Sequence, residues 1–252
     1  MLMRCRIFFA ALLATLVLAG CENSRESSAP PRTIGISTSL PIVWPEAAEI
    51  SDLLNDDLQP HWALAALQER GEVMPLDSLV GEEGAAGAGT LPLPPDALLV
   101  LAQPYPFSAQ EHVALDDWVK AGGRVLLFAD PMLTADSGYA LGDRRRPQDI
   151  IKLAPIFGRW GLVLLFDDNQ EAGVRQVSLP GTDIPVNLPG QFSVTGDEVD
   201  CSFQADGLLA RCTIGKGRLL ALADAAMLES GDVQDQELRR NALLHMFDSL
   251  AK

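Results

Sequence analysis

Polar side chains stand where the continuous apolar runs of this chain end, and in open α/β sheets those are the positions that meet ligands. Ser37, Thr38 and Ser39 follow "TIGI", Gln103 follows "ALLVLA", Asp130 follows "RVLLFA" and Asp224 follows "RLLALA". Hydroxyls and an amide can orient a polar ligand, and a pair of carboxylates could act as acid and base or hold a cation. The loop after Asp130 contains "DSGYALGDRRRPQD", which sets Arg144, Arg145 and Arg146 side by side in a chain of net charge -15. Adjacent cations repel unless something negative meets them. The run therefore either pairs with Asp143, Asp149 and the C-terminal carboxylates, or marks contact with an anion or a partner protein. Ser37, Thr38, Ser39, Gln103, Asp130, Arg144, Arg145, Arg146 and Asp224 make up the candidate ligand or partner site.

Other chemistry is thinly represented. His61 opens a helical segment, and His112 and His245 fall inside helical segments. There is no HExxH, CxxC or GxSxG, and "IGKGR" lacks P-loop spacing and reads as a hairpin turn. No GxGxxG follows the first strand, which argues against a dinucleotide site. Asp130 and Asp224 without a third ligand make a poor metal site. The expectation is a protein with no catalytic residue, no metal and no cofactor. A hydrolase using Asp130 or Asp224 is the enzymatic alternative.

The elements that must position these residues alternate between strand and helix. Residues 97–102, 125–129 and 219–223 are apolar throughout, as expected for strands buried on both faces, and 33–36 begins a β-branched apolar strand that ends in polar Ser and Thr. Helices are expected over 48–58, from His61 to a stop at Gly71, from Ser108, over 147–161, and over 235–252. Ser108 and Glu111 fit a capping box, Leu115, Trp118 and Val119 share a face, and Gly122 or Gly123 ends that helix. In the last helix Leu238, Ala242, Leu243, Met246, Phe247 and Leu250 form the apolar face. A strand is expected within 72–79, loop over 81–96, and a further strand at 162–168. Residues 172–215 carry the alternation and turn residues of antiparallel strands. The fold class is α/β with a mainly parallel sheet and an antiparallel extension at about 172–215, as one domain over 33–252.

Length, at 252 residues with 48% hydrophobic and 21% charged residues, suffices for a packed core. A surface this acidic repels phosphate backbones, so nucleic acid is excluded as a partner. The N-terminus supplies Arg4 and Arg6, then "IFFAALLATLVLAG", a short apolar stretch, then Cys21. "LAGC" resembles the lipobox of bacterial lipoproteins. That resemblance implies a signal peptide at 1–20, lipid on Cys21, a membrane-anchored location in the bacterial cell envelope facing the periplasm, and a flexible Ser/Pro-rich tether at 21–32. Glu22 gives little indication of inner or outer membrane.

Cys201 and Cys212 remain for an oxidising compartment. If Asp206-Gly207 is a two-residue hairpin turn, Cys201 faces Cys212 as a hydrogen-bonded pair with Cα atoms about 5.5 Å apart, within reach of a disulfide.

The order of pieces in "LLVLAQPYPFSAQEHVALDDWVKAGGRVLLFADP", then Gly215-Lys216-Gly217-Arg218, Asp224 and Asn241, resembles the ABC-type uncharacterised transport system family. That family includes auxiliary proteins of gliding-motility-type exporters. The resemblance implies a flavodoxin-like sheet similar to class I glutamine amidotransferases. Those enzymes carry a nucleophilic cysteine on a tight turn after a central strand; the turns here read Gln103-Pro104 and Asp130-Pro131. The expected role is a non-catalytic auxiliary that contacts an ABC permease or ATPase. The alternative is a lipoprotein that captures a small anionic or glycan-derived molecule.

Overall fold

In the computed structural model, residues 32–46, 60–81, 89–196, 199–229 and 233–251 are described. The expected signal peptide, Cys21, tether residues 21–31 and the helix expected over 48–58 lie outside them. Arg32, assigned to the tether from sequence, already belongs to the first strand.

The apolar runs form the middle of a seven-stranded sheet. Its strands are β1 (Arg32–Thr38), β2 (Gly71–Pro75), β3 (Leu98–Ala102), β4 (Arg124–Phe128), β9 (Cys201–Gln204), β10 (Leu209–Ile214) and β11 (Gly217–Leu222), in the order β2-β1-β3-β4-β11-β10-β9. The pairs from β2 through β11 are parallel, and those made by β10 with β11 and β9 are antiparallel. Every residue of β3 is buried, as a strand covered on both faces requires.

The helices are α1 (Trp62–Gln68), α2 (Ala109–Ala121), α3 (Ala154–Arg159) and α4 (Val233–Ala251). Helix α1 packs on α4, and α2 on α3. The step from β1 to β2 runs one way along the sheet, and the step from β3 to β4 runs the other. Right-handed crossovers in opposite directions place α1 and α2 on opposite faces. Helix α2 starts at the expected capping box of Ser108 and Glu111 and ends at Gly122, whose φ of 131° suits glycine. Asp116 sits at its buried face, fully enclosed, and accepts from Lys120 Nζ, the Arg159 guanidinium and Trp160 Nε1 at 2.6–3.1 Å. Burial alone would raise its pKa, but those donors outweigh it and hold the carboxyl below its ordinary value.

The expectations differ from the structure in several places. The helix expected over 147–161 covers only Ala154–Arg159, with Pro155 in its first turn. Proline lacks the N–H an interior helical position needs, so the helix can only begin there. The antiparallel region is not one extension of the main sheet. β5 (Leu162–Leu165) pairs with β8 (Gln191–Val194), and β6 (Arg175–Leu179) with β7 (Thr182–Val186), as separate two-stranded sheets. The main sheet has no room for them beside β11, because the tight Gly215-Lys216 turn brings β10 into that place and β9 follows. On α4, Leu238 is only half-buried, while Arg239 is 5% exposed among the apolar residues.

Cys201 faces Cys212 in the expected register, and the two form a disulfide. The hairpin details differ. Ala205 and Asp206 carry the positive φ values, 48° and 54°, and Gly207 N donates to Gln204 O at 3.2 Å. The turn thus sits one residue earlier, and Gly207-Leu208 restores the register. The cysteines are a non-hydrogen-bonded pair with Cα atoms 4.1 Å apart, flanked by the Thr213 N to Asp200 O bond of 2.8 Å. Residues Arg32–Lys252 form one unit. Among the described residues no helix is long and apolar enough to cross a membrane.

The β10–β11 turn packs directly under the end of α2. A Cβ on Gly217 would lie 2.0 Å from Val119 O, a backbone atom that cannot swing aside. Gly217→Ala is therefore expected to destabilise the fold by about 2–3 kcal/mol, read as a lower midpoint in urea unfolding, while Gly158→Ala, with open space around it, should change little.

Candidate functional site

Strand order reverses between β1 and β3: the chain leaves β1 for β2 on one side, then crosses to β3 on the other. Loops diverge at such a point and leave a crevice beyond the carboxyl ends of the strands. A cleft of about 1060 Å³ lies there. Its floor is Ser37, Thr38 and Ser39 from the end of β1, and Leu76 and Asp77 follow β2. Tyr105, Pro106, Phe107 and Glu111 form the β3–α2 side, and Trp44, Glu46, Tyr139, Arg144, Arg145 and Gln148 come from the two long loops. Glu46 joins those loops, accepting from Ser137 Oγ and Gly138 N at 2.6 Å each.

Beneath the floor lies Gln103, fully buried and in the left-handed conformation with φ 46°. Its amide Nε2 donates to Asp130 O (3.0 Å) and Gln148 O (2.8 Å), and its Oε1 accepts from Asp130 N (2.9 Å). Its backbone O accepts from Ser39 N and Ser39 Oγ, at 3.1 and 2.5 Å. Ser39 Oγ in turn accepts from Gln148 N at 2.9 Å. Gln103 and Ser39 are thus spent on holding the cleft together. Thr38 Oγ1 accepts from Leu40 N at 2.9 Å. Among the described residues the hydroxyl of Ser37 has no hydrogen-bond partner.

The three arginines separate. Arg145 makes a two-pronged pair with Asp143, at 3.1 and 2.7 Å, and its guanidinium lies 4.2 Å from the Tyr139 ring centre. The Arg145 side chain and backbone N–H hold the Asp143 carboxyl down to about 2. Arg146 donates to Tyr139 O at 2.9 Å, stands 3.7 Å from Asp149, and does not line the cleft. Arg144 is exposed, lines the cleft, and has no ion pair or hydrogen bond among the described residues.

Asp130 and Asp224 do not reach the cleft. Both are fully buried, and each spends both oxygens on backbone N–H groups. Asp130 accepts from Met132 N (2.8 Å) and Ala225 N (3.0 Å); Asp224 accepts from Ala226 N (2.6 Å) and Asn187 N (2.9 Å). Burial pushes Asp130 up to about 6, with the Glu229 charge adding to it and the N–H donors opposing. Burial and the neighbouring Asp130 charge push Asp224 up as well. Among the described residues no cluster of three or more His, Cys, Asp or Glu could hold a metal ion. The strand-end residues expected to act together are thus divided: Ser37, Thr38, Ser39, Arg144 and Arg145 line the cleft, while Gln103, Arg146, Asp130 and Asp224 brace it or stand apart. Sequence reasoning missed the aromatic residues Trp44, Tyr105 and Tyr139 and the acids Asp77 and Glu46. Tyr105 could have been found, since it directly follows a strand end already singled out; Trp44 and Tyr139 lie in loops with no pattern.

No protein-family model matches the chain, and no curated protein does. Among solved structures the chain is similar to an exo-β-1,4-mannosidase, Op5Man5, from Opitutaceae bacterium strain TAV5, at 13% identity and a TM-score of 0.50, over 88% of this chain and 36% of that one. It also resembles the GH42 β-galactosidase Gan42B from G. stearothermophilus, at 11% identity and a TM-score of 0.45, over 88% of this chain and 30% of that one. A ThuA-like protein from Parabacteroides merdae matches at 14% identity and a TM-score of 0.35, over 89% of this chain and 91% of that one. The chain thus spans about a third of the length of the mannosidase, and at 13% identity the likeness concerns the fold alone.

Gln103→Ala would leave Asp130 N, Asp130 O and Gln148 O without their partner in a dry interior. A loss of about 3 kcal/mol is expected in urea unfolding. Stability should also depend on pH. Asp130 binds its proton more tightly folded, with a pKa of about 6, than unfolded, where about 4 is usual. Its contribution is full below the unfolded value and is lost as pH rises through the folded one; Asp224 shifts in the same direction. Wild-type stability should therefore fall between about pH 4 and pH 6, and Asp130→Asn should flatten that slope.

Proposed function

We propose that this chain is a non-catalytic binding protein that takes a small, hydroxyl-bearing anion in the cleft between β1 and β3. In this reading the domain is flavodoxin-like, of the glutamine amidotransferase kind, and lipid on Cys21 carries it at the cell envelope. The observation that supports it most is a cleft at the reversal of strand order lined by a cation, Arg144, and a hydroxyl, Ser37, neither of which has a partner among the described residues. The parallel strand order β2-β1-β3-β4-β11 supports the fold assignment. The non-catalytic reading rests on Asp130 and Asp224, whose oxygens are committed to backbone donors, and on Gln103 standing on the turn where an amidotransferase would carry its nucleophile.

A second reading, docking to an ABC-type permease or ATPase, is favoured by Leu141, 86% exposed in the same loop as Arg144. An apolar tip beside a free cation suits a protein contact. Recovery of a permease or ATPase with the lipidated protein, lost on Leu141→Asp, would favour this reading.

Binding in the cleft is tested by thermal unfolding with D-glucuronate, citrate, inorganic phosphate and AMP. At least one should raise Tm saturably, by a few degrees at about a hundredfold excess over Kd. The shift should vanish in Ser37→Trp, which fills the floor, and in Arg144→Glu, a change at an exposed site that leaves the core intact. No saturable shift, or one that persists in both variants, would overturn the reading.

A further inference from the structure

The side chains left unpartnered around the cleft narrow the ligand further, given that the cleft is a binding site. We infer that it takes a sugar carrying a single carboxylate, a uronic acid, with the carboxylate on Arg144 and the ring against Trp44.

The positive charge on offer is small. Arg145 is neutralised by Asp143 and stacked on Tyr139, so Arg144 is the lining arginine left with a free guanidinium among the described residues. A planar guanidinium meets a carboxylate with two parallel N–H donors. Around it the cleft is acidic. Asp77 is exposed, lines the cleft and has no partner among the described residues, and Glu46 lines it too. A polyanion would face those charges, which rules against di- and triphosphates and tricarboxylates. A carboxylate only accepts hydrogen bonds, so Asp77 calls for hydroxyl donors, and Ser37 can donate or accept. Trp44 is 71% exposed and Tyr105 40%, at the same cleft. Such rings cover an apolar face while staying wet at the edge, and the C–H face of a pyranose supplies one. A nucleobase could also stack on Trp44, but its dianionic phosphate would stand against Asp77 and Glu46.

The full chain is titrated with D-galacturonate, D-glucuronate, D-galactose, D-glucose, AMP and inorganic phosphate by calorimetry and by tryptophan fluorescence. The uronates should bind saturably, and the neutral sugars about tenfold or more weakly. Arg144→Ala should abolish the preference for acid over neutral sugar, and Trp44→Ala should weaken both together. These positions are exposed, so circular dichroism should show both variants folded. Equal binding of neutral sugars would overturn both the inference and the cleft reading, whereas tighter binding of AMP or phosphate, or an acid preference that survives Arg144→Ala, would overturn the inference and leave the cleft reading standing. The same holds if uronates fail to bind while citrate raises Tm. If no probe binds, both fall.

Discussion

The buried amide of Gln103 is the constraint on which the switch-point end of the molecule depends. Three separately folded parts converge on this one residue: the end of β1 through Ser39, the end of β4 through Asp130, and the long loop through Gln148. A left-handed φ of 46° costs a non-glycine residue about 1–2 kcal/mol. That cost is tolerated because the turn aims backbone and side chain at different partners at once. An amide suits the task since it donates and accepts from one planar group. An aspartate or glutamate there could not donate to the two carbonyls. Ser39 and Gln148 line the cleft directly above, so the shape of the cleft follows from Gln103 even though Gln103 does not touch its interior.

The buried acids illustrate a similar economy one strand further along. Strands β4 and β11 end side by side, and each chain must then turn, exposing backbone N–H groups away from water. Asp130 and Asp224 satisfy three of them, at Met132, Ala225 and Ala226, and Asp224 also accepts from Asn187 N at the end of β7. An isolated backbone donor in a dry interior costs about as much as a lost hydrogen bond. Two carboxyl groups this close repel when both are ionised, which is why burial and proximity shift them in the same direction. A pair with shifted pKa values looks like an acid–base centre. Here both carboxyls are enclosed, and their oxygens are committed to backbone donors.

On the helical side, Asp116 explains how α3 holds at all. A helix of six residues is far below the length that is stable alone. Arg159 and Trp160, at its end, both donate to the enclosed carboxylate of α2. The opposite face is joined at its surface by Arg70 with Asp248 and by Arg240 with Glu69. Half-exposed pairs of that kind contribute little; the buried apolar face of α4 against the sheet does most of the holding.

Local and periodic features of this protein were determined by the sequence alone. Apolar runs marked β3 and the interiors of β4 and β11, because a strand covered on both faces leaves no polar position there, and the β-branched start of 33–36 marked β1. The Ser108–Glu111 box and the Gly122 stop marked α2, because helix ends need specific donors and a positive φ. The opposition of Cys201 and Cys212 followed from strand pairing, although the turn moved by one residue, since only the sum of paired positions matters. Tertiary structure alone decided the rest. Which strands neighbour each other placed the reversal of order between β1 and β3, and hence the cleft. Whether Arg144, Arg145 or Arg146 stayed free depended on how a long loop folded around Asp143, Tyr139 and Asp149. Polar residues at equivalent strand ends became a cleft floor in Ser37, a brace in Gln103 and a cap in Asp130. The physical reason is that a side chain's role depends on what stands within hydrogen-bonding distance of it, and for Ser39, Gln103, Asp130 and Asp224 partners lie tens of residues away.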